Sequence, residues 1–444
     1  MVRVNGILRF KNDMDISFRA KHVFVRAGEL IIGSKEAPYL HNGTITLYGE
    51  KDAKAVVYDN AIEAGNKLIA NVNKIRMYGK QRSHTLVRLL RPALKGATEI
   101  LIEKGMDLVP GDRIALLPTS YENTASDDVT VSTYDTATGS ATFVTPLAFY
   151  HWGRKDSTMY EYNGVDMRGE VIVLSRNIRI QGQDIESWGA QIVTSDTVEF
   201  DATTGNLTNR VGSTILDSVE LFNCSQMDTM KAALRFEGAN LGWSSVSNSS
   251  LHNGYGWGIN VKSAANLVFS NNVIFNFRPI GVSFSGSRNV TFDGNVVAQI
   301  QQRTTIEATG FEDKEGGLVT CTYFGTSDTC PDTYVTNNIV AGAFWVGMTL
   351  NGHECGKPAT SKSYGNVVHS INNSGGGVGA IISPDRSSST QTTTCFEGSG
   401  VASYKNRYQG VMFQGSAGLK VVFSNMTGID NGLGIGVGMA MSGP

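Results

Sequence analysis

Glycoside hydrolysis needs two carboxylates roughly 5 to 9.5 Å apart, so acids set among apolar strands are where chemistry would begin. The repeating coils offer Glu237, Asp293 and Asp430 singly, with no Asp-Asp pair among them. Glu312, Asp313 and Glu315 cluster within a polar excursion and read as a solvated loop. Calcium binding there would need added backbone carbonyls, and the spaced ligands of an EF-hand loop are absent. Asp166, Arg168, Glu170 and Arg176 are different, being charges embedded in apolar strands. Asp166 and Arg168 lie two apart and would share a strand face. Charges that leave water must be paired, so the expectation is a structural ion network, ahead of a sugar-binding or catalytic set. His353-Glu354-Cys355 puts one His beside one Cys and lacks the further ligands of a zinc site. His151, between Tyr150 and Trp152, reads as a packed strand-end residue. The run Gly432 to Gly438 has no helix after it and so is no nucleotide loop. No metal and no cofactor is expected.

The elements that hold these residues repeat. From Ser247 to Ile300 an Asn precedes a short apolar run at Asn248, Asn272 and Asn295, in steps of 24 and 23 residues. A Gly precedes a second apolar run at Gly258 and Gly281. A period in the low twenties with no room for helices predicts an all-β parallel β-helix, in which like residues stack about 4.8 Å apart. Inward members of Leu267-Val268-Phe269, Val282-Ser283-Phe284 and Val290-Thr291-Phe292 would fill one core. The Asn side chains would bond from corner to corner, and Gly would supply positive φ. Asn338, Asn366, Asn406 and Asn431 continue the corner, and the steps of 43 and 40 residues to Asn338 and Asn406 mark protruding loops.

Earlier in the chain, Gly28 to Gly33 and Thr44 to Gly49 read as edges of less regular coils. From about Arg91 to Tyr162, turn residues at Pro110-Gly111-Asp112 and Ala137-Thr138-Gly139 predict an antiparallel β insertion beside the helix, with solenoid strands returning from residue 163. The expected division is therefore 1–183, carrying the insertion at about 91–162, and 184–444, with loop excursions at about 301–332, 352–361 and 383–400.

The 444 residues carry 38 Lys+Arg against 40 Asp+Glu, which gives no electrostatic case for nucleic acid or an anionic membrane. No apolar run is long enough to span a bilayer, so no membrane insertion is expected. The opening MVRVNGILRF lacks a leader's apolar stretch and reads as a strand already in progress, as in a fragment of something larger. Sequons at Asn42, Asn206, Asn223, Asn248, Asn289, Asn372 and Asn425 are candidate glycosylation sites. Among five cysteines, Cys321 and Cys330 bracket one polar loop and Cys355 and Cys395 another, leaving Cys224 as a buried free thiol.

The glycines and neighbours Gly28 to Ser34, Ala37-Pro38, Thr46 to Gly49, Leu108 to Asp112, Pro146-Leu147 and Tyr150-His151 resemble the G-eight domain. Asn163 to Gln183 resembles the segment that follows it in the fibrocystin and fibrocystin-L proteins and in the cell-migration-inducing and transmembrane hyaluronidases, through Asp166, Arg168, Glu170, Val171, Leu174 to Asn177 and Gly182. The hyaluronidase group carries an H-F-H strand where Ala232 to Gly238 stands here, so its His pair is missing. Asn351 to Cys355 resembles instead the fibrocystin G-H-x-C pattern, which implies a disulfide partner at Cys395.

That resemblance implies a right-handed, pectin-lyase-like parallel β-helix in the ectodomain of a cell-surface or ciliary glycoprotein without a catalytic site. It would act as a rigid rod in end-to-end contact with neighbouring segments of the same or similar proteins. The alternatives are an enzyme acting on an extracellular polysaccharide such as hyaluronan, and a glycan-binding module using Trp152, Trp257 and Trp345.

Overall fold

The computed structural model describes residues 1–58, 62–156, 160–303, 315–320, 330–356, 363–373, 376–383, 395–415 and 420–439, and none of them is helical. Three sheets of 13, 9 and 12 strands run along the molecule, parallel except for one antiparallel strand in the first (Leu207–Val211) and one in the third (His353–Glu354). Each coil up to Asn366–His369 contributes a strand to each sheet in turn. Inward residues stack on their like: Ile274 lies between Leu251 and Val297, and Phe269 between Val246 and Phe292. One core therefore runs from Val4 to Phe413. Its middle is an aromatic column, with Phe236, Phe284 and Phe292 each about 6 Å from Phe269, a spacing that favours ring-edge contacts.

The Asn corner is a ladder. Asn272 Nδ2 donates to Asn295 Oδ1 at 2.9 Å, Asn295 to Asn338 at 3.1 Å and Asn338 to Asn366 at 3.0 Å, all with buried side chains. Two expectations need correction. Asn248 is one place off this ladder, in left-handed backbone (φ 50) like Asn271 and Asn337, and Ser249 holds the ladder position. Asn406 and Asn431 pair at 2.9 Å in a separate ladder, between the third and first sheets. The glycines at 258 and 281 also serve a different purpose from the one expected. A Cβ on Gly258 would lie 2.4 Å from Gly281 O, and one on Gly281 would lie 2.5 Å from Gly317 O. The column continues through Gly347, Gly379 and Gly410, so close approach of successive coils, and not positive φ, requires glycine there.

Between Lys74–Tyr78 of the second sheet and Ile178–Gly182 of the third, the chain leaves the β-helix and builds a six-stranded antiparallel sheet with its own core. This block starts at Leu86–Arg88 and ends with Glu170–Val173, so it is wider than residues 91–162. Glu170–Val173 reads like a solenoid strand because it is buried on both faces, and such strands are apolar throughout whatever their pairing. The three helical sheets cross residue 183 unbroken, with Ile192 paired to Ile69 before it and Leu234 after it. Most of the three expected excursions, with Glu312, Asp313 and Cys321, lies outside the described residues. The end of the third excursion is strand, Cys395–Tyr404.

Candidate functional site

The antiparallel block packs on the outer face of the third sheet. Along Glu170–Val173, Val171 and Val173 point into the block's own core, while Ile172 joins Ala115, Leu117 and Leu174 against Val273, Phe275, Val296, Ala298 and Ala341 of the β-helix. Strand alternation therefore turns Glu170 toward the β-helix as well. One outward column of the third sheet reads Gln181, Phe222, His252, Phe275, Ala298, Ala341, His369, Tyr404. The small alanines receive the block, and the polar ends meet its charges.

Glu170, wholly buried, is held by Arg88, whose Nη1 donates to Oε1 at 2.6 Å. His369 Nε2 lies 3.3 Å from the same oxygen, off the hydrogen-bonding line, and its ring stacks on Tyr404 at 4.4 Å. Burial alone would raise the Glu170 pKa. The charge of Arg88, followed by that of His369, outweighs burial and holds it at about 2. At the other end of the interface, Glu220, equally buried, accepts from Arg179 at 2.7 Å, His252 Nε2 at 3.0 Å and the Arg176 backbone amide at 2.8 Å.

The four charges singled out in the sequence are thus brought to three places. Arg168 donates to Asp166 through Nε (3.0 Å) and Nη2 (2.6 Å), to Glu103 at 2.8 Å and to the Leu89 carbonyl at 3.2 Å, with the Tyr160 ring 5.4 Å from its guanidinium carbon. Glu170 belongs to the Arg88 and His369 group. Arg176 donates Nε to Asn248 O and Nη1 to Val173 O and Ser175 O, and burial together with the nearby Arg82 charge brings its pKa down to about 10. Arg88, Glu220, His252, His369 and Tyr404 escaped sequence reasoning. Their signal was a polar residue in an otherwise apolar strand, as in NVVH and SLH.

Other candidates fall into place in the same way. His151 is buried, bonded to Leu117 O at 2.8 Å and Asp127 at 2.9 Å. Glu315 is not in a solvated loop: it is buried and paired with Arg303 at 3.1 Å. Glu237 pairs with Arg235 at 2.6 Å, and Asp430 accepts from Tyr121 at 2.6 Å and from Lys405. Trp257 is 5% exposed, and Trp152 and Trp345 are partly buried, so none is the open aromatic platform expected. Trp243, at 57%, is the exposed tryptophan. Cys355 and Cys395 are joined in a disulfide, Cys330 is also disulfide-bonded, and Cys224 is free and buried. Of the sequon residues, Asn42, Asn206, Asn289 and Asn425 are exposed, whereas Asn223, Asn248 and Asn372 are partly buried.

A polymer cannot reach either Glu–His group, because both carboxylates and both imidazoles are fully buried. The arrangement satisfies charge inside an interface and offers no acid–base pair to a substrate.

Residues 1–90 match the family model of the G8 domain, a range that takes in the first strand of the antiparallel block, Leu86–Arg88. Over 440 residues the chain is 23% identical to fibrocystin of Canis lupus familiaris, covering 97% of this chain and 10% of that protein. Fibrocystin-L of Homo sapiens is 25% identical over 228 residues, covering 48% of this chain and 5% of that protein. The chain thus spans about a tenth of the length of the fibrocystins it matches. Among solved structures, the tailspike protein gp49 from Pseudomonas phage LKA1 aligns over 99% of this chain and 68% of that chain, at 11% identity and a TM-score of 0.24.

Proposed function

We propose that this chain, which belongs to the fibrocystin family, is a non-catalytic segment of an extracellular β-helical ectodomain. It works there as a stiff, glycosylated, disulfide-bearing rod at a cell surface, including that of cilia. The observation that carries this reading is the burial of Glu170 and Glu220 with their His and Arg partners beneath the antiparallel block. What looks in sequence like chemistry is used to fix one layer on another. A coil-on-coil core resists bending, since successive coils share one apolar interior and are bonded corner to corner from Asn272 to Asn366. Because the chain spans a small part of its relatives, its partners in this reading are neighbouring segments of the same or similar surface proteins, met end to end.

Size analysis of hyaluronan and a pectin-type polymer after prolonged incubation with the purified chain tests the reading. Unchanged polymer length is the expected result. Reproducible depolymerisation would overturn it in favour of a polysaccharide-acting enzyme.

A further inference from the structure

The outer face of the second sheet carries an open cleft of about 570 Å³ that the antiparallel block leaves free. Its floor comes from three successive coils. Lys74 and Arg76 pair with Ser213 and Ile215, and the Ser213 hydroxyl donates to the Trp243 carbonyl at 2.6 Å. One wall is the hairpin formed by Gln191–Phe200 and Leu207–Val211, which contributes Asn209, Arg210 and Val211. Among the described residues no carboxylate lines the cleft.

Its charge is unbalanced. Arg76 is exposed and has no ion-pair partner among the described residues. Arg210 shares the single carboxylate of Glu199 (3.0 Å) with Arg26 (2.6 Å). Lys74 has Glu29 at 3.2 Å. Asp196, which pairs with Val211, turns away to accept from the Asn240 amide at 3.1 Å. Beside this surplus positive charge lies the open indole of Trp243, with amide and hydroxyl groups from Asn73, Asn209 and Ser213.

We infer that this cleft binds an acidic oligosaccharide, with a sugar ring laid on Trp243 and its carboxylate or sulfate groups on the Arg76 fork, while Arg210, whose Nε and Nη2 are held by Glu199, adds its charge alongside. A guanidinium fork matches both anions and holds them in a fixed plane. An exposed indole offers a flat apolar face to the C–H side of a pyranose and an N–H at its edge. The rungs are about 4.8 Å apart, close to the length of one pyranose unit, so a sugar chain crossing the coils meets side chains at its own repeat. An acidic peptide would use the cations but leave the indole idle.

Titration calorimetry of the full chain with a heparin-derived hexasaccharide, an oligogalacturonate hexamer, cellohexaose and hexaglutamate tests this inference, with Trp fluorescence recorded in parallel. Binding of at least one of the two acidic sugars is expected, weakening as salt rises; which one binds distinguishes sulfate from carboxylate recognition. Cellohexaose and hexaglutamate should bind about tenfold more weakly or not at all. Trp243→Ala and Arg76→Glu should each weaken the acidic sugar about tenfold, with thermal midpoints near wild type because both side chains are exposed. Arg154→Glu, exposed on the antiparallel block, should leave binding unchanged. The inference is overturned by no binding of either acidic sugar, by hexaglutamate binding equally well, or by Arg154→Glu weakening binding as much as Arg76→Glu.

Discussion

Arg88 Nη1 stands 2.6 Å from Glu170 Oε1, and the carboxylate it holds has no exposure to solvent. The pair joins two strands of the block and faces His369 and Tyr404 of the β-helix, so it fixes the docking of one on the other. Its pH dependence has a definite sign. The folded-state pKa of Glu170, about 2, lies below the ordinary 4.5, so its contribution is complete above pH 4.5 and is lost as the pH falls toward 2. That contribution is about 3 kcal/mol. Urea unfolding of wild type and Glu170→Gln across this range should show a large stability gap at neutral pH that closes on acidification. A gap independent of pH would show that the charge of Glu170 does not act in this way.

Arg168→Ala should damage folding more than any activity. The substitution strands Asp166 and Glu103, although both acids keep partial contact with water. A loss of about 2–3 kcal/mol is therefore expected, somewhat less than for a fully sealed pair. A well-folded variant with an unchanged thermal midpoint contradicts a structural role.

The glycine column offers a paired test within one fold. Gly281→Ala places a methyl group 2.5 Å from both Gly317 O and Val297 Cγ1, whereas a methyl on Gly434 meets nothing within 4 Å. Denaturant midpoints should fall for Gly281→Ala, by about 1–3 kcal/mol or more in stability, and stay put for Gly434→Ala. Equal effects would remove close coil approach as the reason for glycine.

Much of this architecture was legible because a β-helix writes its period into the chain. Asn272, Asn295 and Asn338 declare their corner by spacing alone, and the apolar runs between them alternate as strands must. The limits of the antiparallel block were not legible. Glu170 to Val173 is buried on both faces, so no period-two pattern marks it. The charge groups were half legible for a related reason: Asp166 and Arg168 are neighbours in sequence, but Glu170 and His369 meet only because the block folds back over rungs formed two hundred residues later. The cleft at Trp243 stayed hidden because its residues come from three coils and a hairpin, each unremarkable in isolation.

Glycan occupancy should follow exposure. Asn206 lies beside the turn of the hairpin, and Asn425 is exposed on a late strand. Asn42 and Asn289 are exposed too, with amides bonded to Asp15 and Asn266. Asn248 is partly buried and donates to Asp217 at 3.0 Å. Site-resolved mass spectrometry of protein from secreting cells should find sugar at Asn206 and Asn425 first and none at Asn248. Full occupancy at Asn248 would contradict the packing of that corner.

The central claim, that this is a surface segment built for an oxidising exterior, is tested most directly by the intact mass of the secreted protein under native, denatured and reduced conditions, with iodoacetamide as the label. Burial pushes the Cys224 thiol up to about 12, so the native protein should take up no label. The denatured, unreduced protein should take up one label, at Cys224. Reduction should add Cys355, Cys395, Cys330 and Cys321, the partner expected for Cys330, to make five labels in all, and glycan mass should be present throughout. A bare chain that takes up five labels on denaturation without reductant would contradict the account.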